Sequence, residues 1–263
     1  MKLVREHINE ISLGGSHLER TGTGIKGAIK RWLDEHDIKD YIINNDLTID
    51  IKFKDNTDLN DIDIPDFIKF RHIAGNLDLS NTNINVTSLL DGLFVAGGLN
   101  LNNSTITSLP KGLEVEWNLT LSNTSITSLP NDLKVGWWLD LSYTPITSLP
   151  NNFKAAWNLD LKGTQITFLP KDLKVGGNLY LRGSQITSLP NGFKVGGDLD
   201  LSYTPITSLP DGFEVKGDLD LRHTLITSLS NNLSVGGNLI LKGTLITSLP
   251  KDLKVKGKIY KDF

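Results

Sequence analysis

Four of the chain's five tryptophans lie close together, and three of them keep a fixed step: Trp117, Trp137 and Trp157 are spaced by twenty residues, with Trp138 beside the second. Indoles at regular spacing can anchor a protein partner, because tryptophan is enriched where binding energy concentrates, or they can stack on sugar rings. They can equally pack against one another in a corner. If strand alternation holds, Trp117, Trp137 and Trp157 point inward and Trp138 points out. The same step relates Asp140 to Asp160, and Asp198 and Asp200 to Asp218 and Asp220. That second set is a two-by-two grid of carboxylates. It would suit a calcium ion if loops supplied further oxygens, or it is screened charge beside Lys194, Lys216 and Arg222. Lys134, Lys154, Lys174 and Lys194 form a basic column ended by Glu114 and Glu214, readable as an anion site or as a solvated edge. Catalysis finds little material. The five histidines are scattered, and His223 has only Asp220 nearby with ordinary Ser and Thr as nucleophiles. A catalytic trio needs a base oriented by a third group in a pocket. No catalytic residue, resident metal or cofactor is expected.

These columns exist because the chain repeats. VGGNLYLRGSQITSLP (residues 175–190) returns as VGGDLDLSYTPITSLP (195–210) and as VGWWLDLSYTPITSLP (135–150), and the Leu-Pro pair recurs every twenty residues from Leu109-Pro110 to Leu249-Pro250, with Leu229-Ser230 the one variant. A fixed period of this length marks a solenoid. In Leu179-Tyr180-Leu181 the alternation places two leucines inside and Tyr180 outside. Ile186, Leu189 and Val175 complete an apolar set that one coil cannot bury and a stack can share. A Gly-Gly pair before the strand permits a tight corner. A column of hydroxyls (Thr124, Thr144, Thr164, Ser184, Thr204, Thr224, Thr244) is placed to bond neighbouring coils and loop backbone. The outward strand positions, Asp140, Asp160, Tyr180, Asp200 and Asp220, then share a face with Arg182 and Arg222 and with Tyr143 and Tyr203. That face, with the tryptophans, is the candidate partner surface.

The motif L-x-L-x-x-T-x-I-x-x-L-P, from about Leu77 to Lys258, resembles the leucine-rich-repeat consensus, with threonine where that family has asparagine and Gly-Gly where it has a leucine. The resemblance implies a parallel sheet and a protein-interaction scaffold. The expected fold is a leucine-rich-repeat-like β-solenoid with a small α-helical N-terminal cap. The helical head leading through WLDEHDIKDYIINNDLTIDI into simple repeats also resembles repeat proteins of tailed bacteriophages. That implies a viral origin, with a host-cell or virion location, and no mechanism. Glycan binding through the aromatic patch and structural self-assembly are the alternative roles.

The remaining bounds come from composition. The chain has 263 residues and a net charge of -3, so no global basic field argues for nucleic acid. Cysteine is absent, which excludes disulfides, thiol nucleophiles and zinc–cysteine sites. No apolar run reaches membrane-spanning length and no signal core opens the chain, so a cytoplasmic protein is expected. Residues 1–46 read as the helical head: Leu3, Val4, His7, Ile8 and Ile11 mark one amphipathic helix, and Ile25, Ala28, Ile29, Trp32 and Leu33 a second, with Thr23 as its N-cap. Gly22-x-Gly24-x-x-Gly27 matches the dinucleotide fingerprint formally but lacks the preceding strand. Leu47–Ile51 is expected as the first strand. Residues 47–76 then form a degenerate capping coil, 77–254 the solenoid, and 255–263 a lysine-rich C-terminal cap.

Overall fold

The structure is a computed structural model and describes residues 22–262; the helix expected around Leu3–Ile11 lies outside them. An α-helix, α1, spans Gly22–Glu35. Ile29, Trp32 and Leu33 form its inner stripe and are buried in the same core as the repeats. The helix already includes Gly22, Thr23, Gly24 and Gly27. Thr23 is therefore not a flanking cap, and the three glycines form helix instead of a phosphate-cradling loop.

The chain then makes an antiparallel pair, Tyr41–Ile43 with Ile49–Ile51. The first of these strands falls in the stretch read from sequence as helical head. Asp46 makes the turn between them: its Oδ1 accepts from the Thr48 N–H at 3.2 Å and hydroxyl at 2.7 Å.

From Asn56 onward the structure is a parallel β-solenoid with a repeat of about twenty residues. Each coil contributes two short strands. One, of the Leu119–Thr120 type, belongs to an eleven-stranded parallel sheet running from Asn56–Asp58 to Ile259–Tyr260; we call it the leucine sheet. The other, of the Lys174–Val175 type, forms a second stack, the valine sheet. The repeat predicted one parallel sheet; the second arises because Val175 and its equivalents also point inward and pair coil to coil. Leu179, Leu181 and Ile186 are fully enclosed, Tyr180 is half-buried, and one apolar cluster runs from Ile29 to Ile246. The two extra residues Asn85 and Val86 are absorbed by a 3-10 turn, Val86–Ser88, capped by Asn85.

The hydroxyl column works differently from expectation. Each Thr donates within its own coil, to the carbonyl three residues back: Thr144 to Leu141 and Thr164 to Leu161, both at 2.7 Å. It closes the corner after the leucine strand and does not bridge coils. Ser184 holds the same position with its Oγ unpartnered among the described residues. Thr164→Val, which keeps the volume, should therefore lower stability by about 1 kcal/mol, whereas Ser184→Ala should be close to neutral. Urea denaturation of both variants checks this, and equal losses would contradict the assignment.

Candidate functional site

The tryptophan stripe follows from a contact between coils. Just before each leucine strand, an Asn or Asp side chain reaches forward and accepts the N–H of its equivalent in the next coil. Asn158 accepts from Asn178, Asn178 from Asp198, and Asp198 from Asp218, each at 2.8 Å. Asp218 and Asn238 continue the ladder to Lys258. The ladder oxygen occupies space that a side chain would need. Asn158 Oδ1 stands 2.5 Å from where a Cβ on Gly177 would lie, and the oxygens below Gly197, Gly217 and Gly237 stand closer still. Glycine is thus required wherever the ladder runs below.

Three coils break this pattern. Gly98 and Trp138 supply no ladder oxygen, and Asn118 holds a longer bond, 3.2 Å, to the Trp138 N–H. The residues above these three positions are Trp117, Trp157 and Trp137. Each indole stands where the ladder is missing or stretched.

The rings point outward. Trp117, Trp137 and Trp157 are 58%, 60% and 54% exposed, while Trp138 is partly buried, with its Nε1 enclosed and without an acceptor among the described residues. This reverses the expectation from alternation, because these residues lie at the corner before the two-residue strand, where the period of two does not apply. Trp117 and Trp137 stack at 6.1 Å between centroids, 17° apart, and Trp137 and Trp157 at 6.4 Å and 33°. Such distances are those of attractive offset pairs.

At the same place the valine sheet is interrupted. Lys134–Val135 ends one six-stranded piece and Lys154–Ala155 begins the next, although Leu139 and Leu159 still pair in the leucine sheet. The interruption opens into a surface cavity of about 620 Å³ lined by Glu114, Glu116, Trp117, Lys134, Phe153 and Lys154. Glu114 pairs with Lys134 at 3.0 Å.

The outward residues of the leucine sheet are mostly committed to the fold. Asp140, Asp160, Asp200 and Asp220 each accept the N–H two residues on, making Asx turns that lead the chain off the strand. Asp160 also binds Lys162 Nζ at 3.0 Å, and Asp220 is gripped by Arg222. Both residues are buried. Burial pushes the Asp160 carboxyl up from its ordinary value, and the hydrogen bonds from Lys162 only partly offset it. Lys162 lies over the Tyr180 ring at 4.6 Å, Arg182 over Tyr203 at 4.8 Å, and Tyr203 stacks on His223 at 4.6 Å. The carboxylates of the two-by-two grid take separate roles: Asp198 and Asp218 carry the ladder, and Asp200 and Asp220 make turns. Among the described residues no group of three or more His, Asp or Glu side chains could hold a metal ion.

Tyr143, Tyr203 and His223 share a property that the pattern did not disclose. They have φ of +58°, +59° and +55°, in a column where other coils place Asn or Gly. Left-handed backbone is unfavourable for such residues. The Tyr143 ring occupies the space over Gly163: a Cβ there would meet its Cδ1 at 2.6 Å.

No helix among the described residues is long and apolar enough to cross a membrane. The fold defines a class, the parallel β-solenoids. Beyond that class, no protein-family model matches the chain, and comparison with curated proteins finds no relative.

Two outcomes test this geometry. An upward-shifted carboxyl means that the native state holds its proton more tightly than the unfolded chain. Its contribution to stability is therefore full below the ordinary carboxylate range and declines as pH rises through the folded value. Asp160→Asn keeps the acceptor for the Lys162 N–H, so its stability should improve relative to the parent between about pH 3 and pH 7. A variant whose stability relative to the parent, read from denaturation midpoints, stays constant or falls over this range would refute the shift. Gly183→Ala, with φ +66° and open space around it, should lose about 1 kcal/mol to backbone strain alone. Gly163→Ala should lose clearly more, and Tyr143→Gly should recover part of that loss; equal effects of the two glycine variants would remove the ring contact from the account.

Proposed function

We propose that the chain is a non-enzymatic scaffold that binds a protein partner, with the stripe Trp117–Trp137–Trp157 as its main anchor. The observation that carries this reading is the exposure of three adjacent indoles, each more than half open to solvent, in a column that other coils fill with glycine. Burying such rings against a partner is a large source of binding energy. The carboxylates of the leucine sheet, Asp140, Asp160, Asp200 and Asp220, already serve turns and, at Asp160 and Asp220, ion pairs, and contribute less. Tyr143, Tyr180, Arg182, Tyr203 and Arg222 form a secondary polar and aromatic rim. The likeness of the motif to leucine-rich repeats supports a scaffold role. The likeness to phage repeat proteins favours a role in an infected host cell or in the virion.

The test replaces Trp117, Trp137 and Trp157 together by glycine, the residue this column has in later coils. Parent and variant are immobilised and used to capture proteins from host lysate. Proteins held by the parent should be retained at least about tenfold less by the variant, with circular dichroism unchanged. An identical retained set would overturn the assignment. A retained set that disappears on glycosidase treatment would move the stripe to glycan recognition.

A further inference from the structure

The valine sheet carries a row of lysines that form no ion pair among the described residues, ended by Glu214 in register with Lys194. Lys154 and Lys174 are register partners, and Lys194 follows on the next strand, where Val175 pairs with Val195. Like charges placed directly opposite one another on neighbouring strands destabilise a sheet. One coil earlier the same column does the reverse: Glu114 and Lys134 pair across coils at 3.0 Å. Among the described residues Lys154, Lys174 and Lys194 make no ion pair, and all three are exposed. Lys171 and Lys216 join Lys174 and Lys194 around a groove of about 460 Å³ whose apolar floor is Leu173, Val175 and Phe193; Asp172 is its only acidic lining residue. The charge row meets the tryptophan stripe at the neighbouring cavity, where Lys134 and Lys154 line the same space as Trp117.

Resting on the reading of the stripe as a partner anchor, we infer that the partner presents an acidic polypeptide segment, lying along the solenoid axis in this groove. Charge complementarity selects an anion. The lysines recur once per coil, ~4.8 Å apart, and their long flexible arms can each meet a carboxylate of an extended chain. The groove contains no arginine, so it lacks the planar fork that favours phosphate. The adjoining indoles stack on one another, which leaves less ring face for bases or sugars.

The experiment measures fluorescence anisotropy of labelled poly-L-glutamate with the intact chain, at low and at physiological ionic strength. Poly-L-glutamate should bind, more weakly as salt rises. Lys174→Glu/Lys194→Glu should weaken binding at least about tenfold, and Lys26→Glu/Lys30→Glu on α1 should leave it unchanged. Lys174→Gln/Lys194→Gln, which removes the charge instead of reversing it, serves if the first variant fails to fold and should show the same direction of loss. Absence of binding, or binding indifferent to both lysine variants, overturns the inference. Tighter binding of oligothymidylate or polygalacturonate, lost in the same variants, overturns the polypeptide assignment. The two readings separate cleanly. If the tryptophan variant loses its lysate partners while the parent ignores poly-L-glutamate, the groove fails and the stripe stands. Poly-L-glutamate binding with unchanged lysate capture supports the groove alone.

Discussion

From Asn158 to Asn238, one side-chain oxygen per ladder coil, held in the volume of a missing Cβ, helps to register this solenoid. The oxygen of Asn158 both accepts the N–H of Asn178 and fills the space beside Gly177. A hydrogen bond and a steric exclusion thereby become the same contact. The hydrophobic interior makes stacking favourable, but it is made of interchangeable leucines and valines and would tolerate rotation between coils. The ladder specifies the position of each coil on the last, since a buried donor without its acceptor is penalised. Everything on the outside of the stack, including which residues fall into one column, depends on that register.

Much of the fold was legible because register follows from period. The twenty-residue step, the alternation of Leu179 and Leu181 around Tyr180, and the shared core can all be read from the repeat, since one coil alone cannot bury those residues and a stack can. The valine sheet was not legible, because a strand of two residues such as Lys174–Val175 has no alternation to detect. The strand Tyr41–Ile43 was hidden for a related reason: it pairs antiparallel with Ile49–Ile51 through a turn governed by Asp46, outside the repeat. The hydroxyl column satisfies backbone, as its position implies, but within one coil and not between coils. Thr144 can reach a carbonyl three residues back in its own coil, and local bonds of this kind form without closing a long loop. The candidate site was half legible. The column of tryptophans was visible, but its direction was not. That direction depends on the ladder oxygen one coil below, a contact nineteen residues away in sequence.

The outer face of the leucine sheet shows how structural use removes residues from the binding surface. Asp140, Asp160, Asp200 and Asp220 look like a row of free carboxylates. Each is bound to the N–H two residues on, and Asp160 and Asp220 are further covered by Lys162 and Arg222. A partner arriving there would have to compete with the turn that ends the strand. On the valine side the Glu114–Lys134 pair is followed by lysines without one. Among the described residues the side chains of Lys154, Lys174 and Lys194 form no ion pair, so their charge is available to whatever approaches.

The energetics of the stripe argue that its place in the chain is not dictated by stability. Trp138 in the ladder position gives up one inter-coil hydrogen bond, a loss of about 1 kcal/mol, and its own indole N–H is enclosed without an acceptor, which is a further penalty. The two ring pairs, Trp117–Trp137 and Trp137–Trp157, return about 0.5–1.5 kcal/mol each. The sum is close to zero. An Asn at 138 with glycines at 117, 137 and 157, the arrangement used four coils in succession from Gly177 to Gly237, would stack as well, without exposing three large apolar rings to water. A surface that gains nothing in folding, interrupts one sheet and leaves indoles in solvent is better explained by what it contacts outside the molecule than by what it contacts within.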